Sequence, residues 1–133
     1  MKKKSVFLVL VLVLVLLFAV IYVNRNTLRL GNPDYAVLTY SYEDIYIWEE
    51  LYGGDVDAVV EILDGKIETP DNPSCGFSED ISITIGGNTF ALACDRCGIV
   101  KNCTTGKYIS ISDAERDILE KLFTGRGGKF PCV

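Results

Sequence analysis

From Val6 to Val23 the chain runs through 18 consecutive apolar or aromatic residues. As a helix rising about 1.5 Å per residue, such a run is roughly 27 Å long. That just crosses a bilayer core of about 30 Å. The run has no polar face and is rich in valine, which suits lipid better than a domain core. A cleaved signal peptide is the rival reading. Its apolar region is usually shorter, about 7–15 residues, and ends in a small-x-small site. Here the run ends in "AVIYVNRN", and Tyr22, Val23 and Asn24 do not supply small residues. The sequence therefore favours an uncleaved anchor over export with cleavage and secretion. Lys2, Lys3 and Lys4 precede the run, which places the N-terminus in the cytoplasm and the rest outside. Arg25 and Arg29 on the far side run against this orientation.

Charge separates the remainder into two parts. Beyond residue 23 there are 18 acidic and 10 basic residues, a net charge of −8. Glu43 to Asp80 holds 12 acids and one base, Lys66, whereas the chain from Ile81 holds 5 acids and 7 bases. An acidic domain without clustered Lys or Arg disfavours nucleic acid as a partner. Asp55, Asp57 and Glu61 lie in "GGDVDAVVE", which lacks the loop pattern of a calcium site, so a solvated acidic face is the simpler reading.

Residues 24–34, with "GNPD" as a turn, read as a stalk. Tyr35 to Ser41 is rich in strand formers. Glu43 to Tyr52 fits a strand through Ile45 and Ile47, or a helix through Ile45, Trp48 and Tyr52. Val56, Val59, Val60 and Leu63 make one helical stripe, with Asp55 as its cap and Gly65 at its end. "KIETPDNPSCG" is a loop.

"ISITIGGNTFALAC" predicts a β-hairpin. A turn at Gly87-Asn88 pairs Ile85 with Phe90, Ile83 with Leu92 and Ile81 with Cys94 on one face. A turn at Gly86-Gly87 keeps the faces matched and stays open. Lys107 to Ile111 is a further strand. Ser112 then starts a helix through a capping box with Glu115. Ile118, Leu119, Leu122 and Phe123 form its buried face, Asp117 and Lys121 an i, i+4 pair, and Gly125 its end. Phe130 and Cys132 suggest that the glycine-rich tail docks.

The segments "DNPSCGFSEDISITIGGNTFALACDRCGIVK", "YISISDAERDILEKLF" and "GGKFPC" resemble small uncharacterised exported or membrane-anchored bacterial proteins. The likeness covers roughly residues 55–133. It implies a stand-alone outer domain and carries no activity.

Three cysteines lie in "ACDRCGIVKNC", residues 93–103. Cys94-x-x-Cys97 has thioredoxin spacing, but that chemistry needs a thiolate at a helix N-terminus, and "GIVKNCTTGKY" has no helical period. Zinc needs four ligands; the chain has no histidine and one CxxC knuckle, so no metal is expected. A covalent staple in an oxidising compartment fits best. Extending the strand back from Ile81 brings Cys75 near residues 97–100, which makes Cys75–Cys97 the first candidate bridge. Cys94 faces the core and can meet Cys132, which leaves Cys103 as the free thiol.

Without histidine there is no Ser-His or Cys-His pair. "GRGGK" follows a helix and lacks the Ser or Thr of a phosphate loop. Glu49 and Glu50 are adjacent but need not converge. No cofactor is expected. Trp48 with Tyr40, Tyr42, Tyr46 and Tyr52 can form a recognition surface, though core and rim packing is the simpler role.

The sequence thus predicts an anchor over 1–23, a stalk over 24–34 and an extracytoplasmic α+β domain over 35–133. That domain has about four antiparallel strands and two helices. Its expected role is binding an envelope protein partner. A thiol-disulfide oxidoreductase using Cys94 and Cys97 is the alternative.

Overall fold

A computed structural model describes residues 2–132. One helix, α1 (Lys2–Asn26), precedes an α+β domain. The domain runs β1 (Tyr35–Tyr42), β2 (Ile45–Tyr52), α2 (Gly54–Leu63), β3 (Ile81–Ile85), β4 (Asn88–Leu92), β5 (Ile99–Asn102), β6 (Lys107–Ser110) and α3 (Asp113–Thr124). All six strands form one antiparallel sheet in the order β2-β1-β3-β4-β5-β6.

The class is as the sequence predicts, but there are six strands rather than about four. The ambiguous stretch after Glu43 is strand β2. It is reached through the tight turn Glu43-Asp44, which joins Tyr42 directly to its partner Ile45. Glu43 takes a left-handed φ of 53°, a conformation usually left to glycine or asparagine. The second addition is β5, four residues directly after the CxxC turn.

In the β3–β4 hairpin, Ile83 pairs with Phe90 and Ile85 with Asn88. The turn is therefore Gly86-Gly87, not Gly87-Asn88. Both glycines have positive φ, 56° and 76°, as a two-residue hairpin of this twist requires. A shift of two residues leaves the apolar faces matched.

One face of the sheet presents Ala36, Leu38, Tyr40, Leu51, Ile81, Ile83, Ile85, Phe90, Leu92, Val100 and Ile109 to the core. Val56, Val59, Ile62 and Leu63 of α2 and Leu119, Leu122 and Phe123 of α3 cover it. Ile62 replaces Val60 as a fully buried member of the α2 stripe. Gly53, not Asp55, occupies the N-cap and offers no side-chain hydrogen bond. Asp55 instead accepts a hydrogen bond from Arg126 Nη2 at 2.8 Å. The Ser112–Glu115 capping box of α3 is complete. Ile118 is exposed rather than buried. Asp117 forms an ion pair with Arg96, at 3.5 Å, instead of with Lys121.

The segment read as a stalk is partly docked. Leu28 and Leu30 are buried in the core. Leu28 N donates to Lys66 O, Gly65 N to Leu28 O and Glu68 N to Asn26 O, all within 2.9 Å. Leu30 N donates to Asp64 Oδ1 at 2.7 Å. These bonds tie the end of α1 to residues 64–68 with no free linker between them.

The tail docks through Tyr40. Its buried hydroxyl donates to Lys129 O at 2.8 Å and accepts from Lys129 N at 2.9 Å. Phe130 meets Tyr40 and Phe123 at ring-centroid distances of 6.2 and 5.6 Å.

Candidate functional site

The helices cover one face of the sheet, and the opposite face is divided between two environments. Over β3–β6 it is crossed by residues 71–80, which act as a strap. Phe77 packs on Tyr108 at 5.7 Å, Tyr108 Oη donates to Asn72 Oδ1, and Ser82 Oγ donates to Glu79 O at 2.7 Å. Ser82 and Ala91, which are paired on this face, are consequently buried.

Disulfides fasten the strap and the tail at one end of the sheet. Cys75 is bonded to Cys97, with Cα atoms 6.1 Å apart, and Cys94 to Cys132, with Cα atoms 4.8 Å apart. The two cysteines of the CxxC therefore have different partners and are not joined to each other. Residues 71–80 are not a strand, so Cys75 reaches Cys97 as a loop across the sheet rather than by extension of β3. Cys103 is free and half-buried. Burial first, and the Glu79 charge second, raise its thiol pKa above the ordinary value.

The CxxC turn is held from below by Arg116, which is 2 % exposed. Its guanidinium donates to Glu120 Oε1 at 2.8 Å, to Ala93 O at 2.6 Å and to Cys97 O. Asp95 accepts from Cys97 N at 3.2 Å. Ligand atoms of Cys75, Asp95 and Cys97 lie within 4.8 Å of one another, but sulfurs joined in a disulfide offer no thiolate to a metal. The polar contacts here all close a turn. Neither Arg116 nor Glu120 stands out in the sequence, because charged residues on an amphipathic helix read as its solvent face, whereas here both are buried.

A second polar cluster organises the β5–β6 turn. Buried Asn102 donates to Glu68 Oε1 at 2.6 Å and to Asn88 Oδ1 at 3.1 Å, and accepts from the backbone amides of Thr104 and Thr105. Tyr108 and Thr69 exchange backbone bonds of 2.8 Å, so the outer edge of β6 is covered.

Over β1 and β2 the same sheet face is open. Tyr46, Trp48, Glu50 and Tyr52 project from it on β2, and Tyr35 on β1; all five are exposed. Trp48 is 56 % and Tyr46 72 % accessible. Tyr40, by contrast, faces the core, and Tyr42 packs partly against it. Tyr52 Oη donates to Glu50 Oε2, and the bond to that carboxylate raises the phenol's pKa. Glu49 and Glu50 point to opposite faces and do not converge. Glu49 Oε1 lies 2.9 Å from Arg126 Nε, a contact too poorly aligned to count as a hydrogen bond. Burial opposes the Arg126 charge, but Asp55 and Glu49 outweigh it and hold its pKa above the usual value. β2 is an edge strand, with β1 as its neighbour. Glu43 and Asp44 in its entry turn and Glu50 on the strand itself are exposed acids.

α1 is the one helix among the described residues that is long and apolar enough to cross a membrane. No family model, curated protein or solved structure matches the chain.

Proposed function

We propose that the chain is a single-pass, membrane-anchored interaction module whose disulfide-stapled domain lies outside the cytoplasm. The observation that carries this reading is the open aromatic and acidic surface on β1 and β2. Burying Trp48 and Tyr46 against a partner removes large apolar area from water at little cost in conformational entropy. The surrounding carboxylates select a partner surface that is basic. β2 also leaves one row of backbone groups without a strand neighbour, which an extended segment can pair. A second copy is a poor occupant, because β2 against β2 opposes acidic residues to acidic residues. The anchor reading is supported by the continuity of α1 into the docked residues 27–30, and the outside location by two disulfides.

A photo-crosslinking side chain placed at Trp48 in native membranes tests the proposal. The same probe at Glu61, on the helical side, is the comparison. A discrete adduct at position 48 that Glu50→Lys abolishes is the expected result. Adducts of equal yield from both sites, or none from either, refute the surface. The oxidoreductase alternative predicts instead a Cys94–Cys97 bridge, a different linkage from the two seen here.

A further inference from the structure

Arg25 and Lys107 line one open cavity of about 410 Å³ between the end of α1 and the domain, together with Phe18, Ile21, Tyr22 and Asn26. Phe18, Ile21, Tyr22 and Arg25 are spaced i, i+3, i+4 and i+7, so they form one stripe of the helix. Lys107 comes from β6, far away in sequence. Asn26 brings it there: its Oδ1 accepts from Lys107 Nζ at 3.0 Å, and its Nδ2 donates to Tyr22 O at 2.8 Å. The cavity thus has two cations and no carboxylate. Among the described residues neither cation forms an ion pair, although the outer part of the chain is strongly acidic.

We infer that this crevice binds the phosphodiester of an anionic phospholipid in the outer leaflet, with an acyl chain along Phe18, Ile21 and Tyr22. Depth supports the assignment. The apolar run ends at Val23, and Arg25 stands roughly 3 Å further along the helix axis, at the boundary where headgroup phosphates begin. The placement also accounts for cations on the side of the membrane where the orientation rule does not ask for them. The inference rests on the anchor reading, since α1 supplies five of the six lining residues.

The test is native mass spectrometry of the full-length chain in detergent, its intact mass confirming that α1 is present. Phosphatidylglycerol and phosphatidylcholine are the lipid probes. One phosphatidylglycerol should be retained in preference to phosphatidylcholine. Arg25→Gln and Lys107→Gln should each weaken that preference about fivefold, the worth of one cation at a charged membrane surface. Arg29→Gln, outside the crevice, should leave it unchanged. Millimolar inorganic phosphate should not displace the lipid; displacement would mean that the site takes free phosphate. Equal retention of the two lipids, or a preference that survives the double Gln variant, overturns the clamp. A truncated mass from cells would refute the anchor instead, and retention by the intact purified chain would still report on the crevice.

Discussion

Arg116→Met removes a guanidinium that is almost wholly buried while keeping most of its apolar stem. Three acceptors lose their donor: Glu120 Oε1, Ala93 O and Cys97 O. Breaking a buried ion pair costs about 3–5 kcal/mol, because the remaining charge is left uncompensated. Two features move the estimate to the low end. Arg96 stands 3.6 Å from Glu120 Oε2 and still offers partial neutralisation. The Cys97 carbonyl, on a half-buried turn, can reach water. We expect a loss of about 3 kcal/mol, or a fall in Tm of roughly 12–24 °C for a domain of this size. Adding Glu120→Leu removes the orphaned carboxylate and should restore about 1–2 kcal/mol. Near-UV circular dichroism during heating, with disulfides intact, measures both. A loss under about 1 kcal/mol, or a double variant that shows only the sum of the single effects, would falsify the claim that Arg116 holds the turn.

Other outcomes follow from the same geometry. Ile83→Lys and Ser82→Lys should both be strongly destabilising, the first by charging the core and the second by lifting the strap, whereas Thr84→Lys on the exposed end of β3 should be mild; comparable melting temperatures for Ser82→Lys and Thr84→Lys would refute the strap. The Ser112 amide first, and Lys66 second, lower the pKa of Glu115, so its contribution is present above the unfolded carboxylate pKa and is lost as pH falls through the folded one. Glu115→Gln should therefore flatten the acid limb of the stability profile, and an unchanged limb would count against the capping box. Cys103 should be alkylated slowly at pH 7 in the folded chain and faster as pH rises, while the denatured, unreduced chain should show one labelled thiol and peptides linking Cys75 to Cys97 and Cys94 to Cys132; rapid labelling at neutral pH, or other linkages, would contradict the arrangement.

What was legible in the sequence was local. The hairpin alternation at Ile81–Ile85, the box at Ser112 and the lipid-like run at Val6–Val23 each state a preference within a few residues. Strand β2 is ambiguous in the sequence because Ile45 and Ile47 fit the strand period while Ile45, Trp48 and Tyr52 fit the helical one, and its entry turn uses Glu43-Asp44 where glycine would have signalled it. Strand β5 was hidden by its length of four residues. The burial of Ser82 was not visible, because it depends on a loop packing across the sheet, which leaves no periodicity. For the same reason Asp55 read as a cap, when a long-range partner, Arg126, had claimed it. The cavity at Arg25 required Lys107 from the far edge of the sheet, a juxtaposition that only the tertiary fold supplies.

The two disulfides cross in sequence, since Cys94 lies inside the loop closed by Cys75–Cys97 and Cys97 inside that closed by Cys94–Cys132. Any single peptide-bond cut between Cys75 and Cys132 leaves both fragments covalently joined. A proteolytic nick in the strap beyond Cys75, or in the 103–106 turn, would open the backbone without releasing a piece. The sheet and the docked tail would keep their neighbours at a fixed local concentration. The crossed bridges turn such a cut into a local defect rather than a loss of the domain.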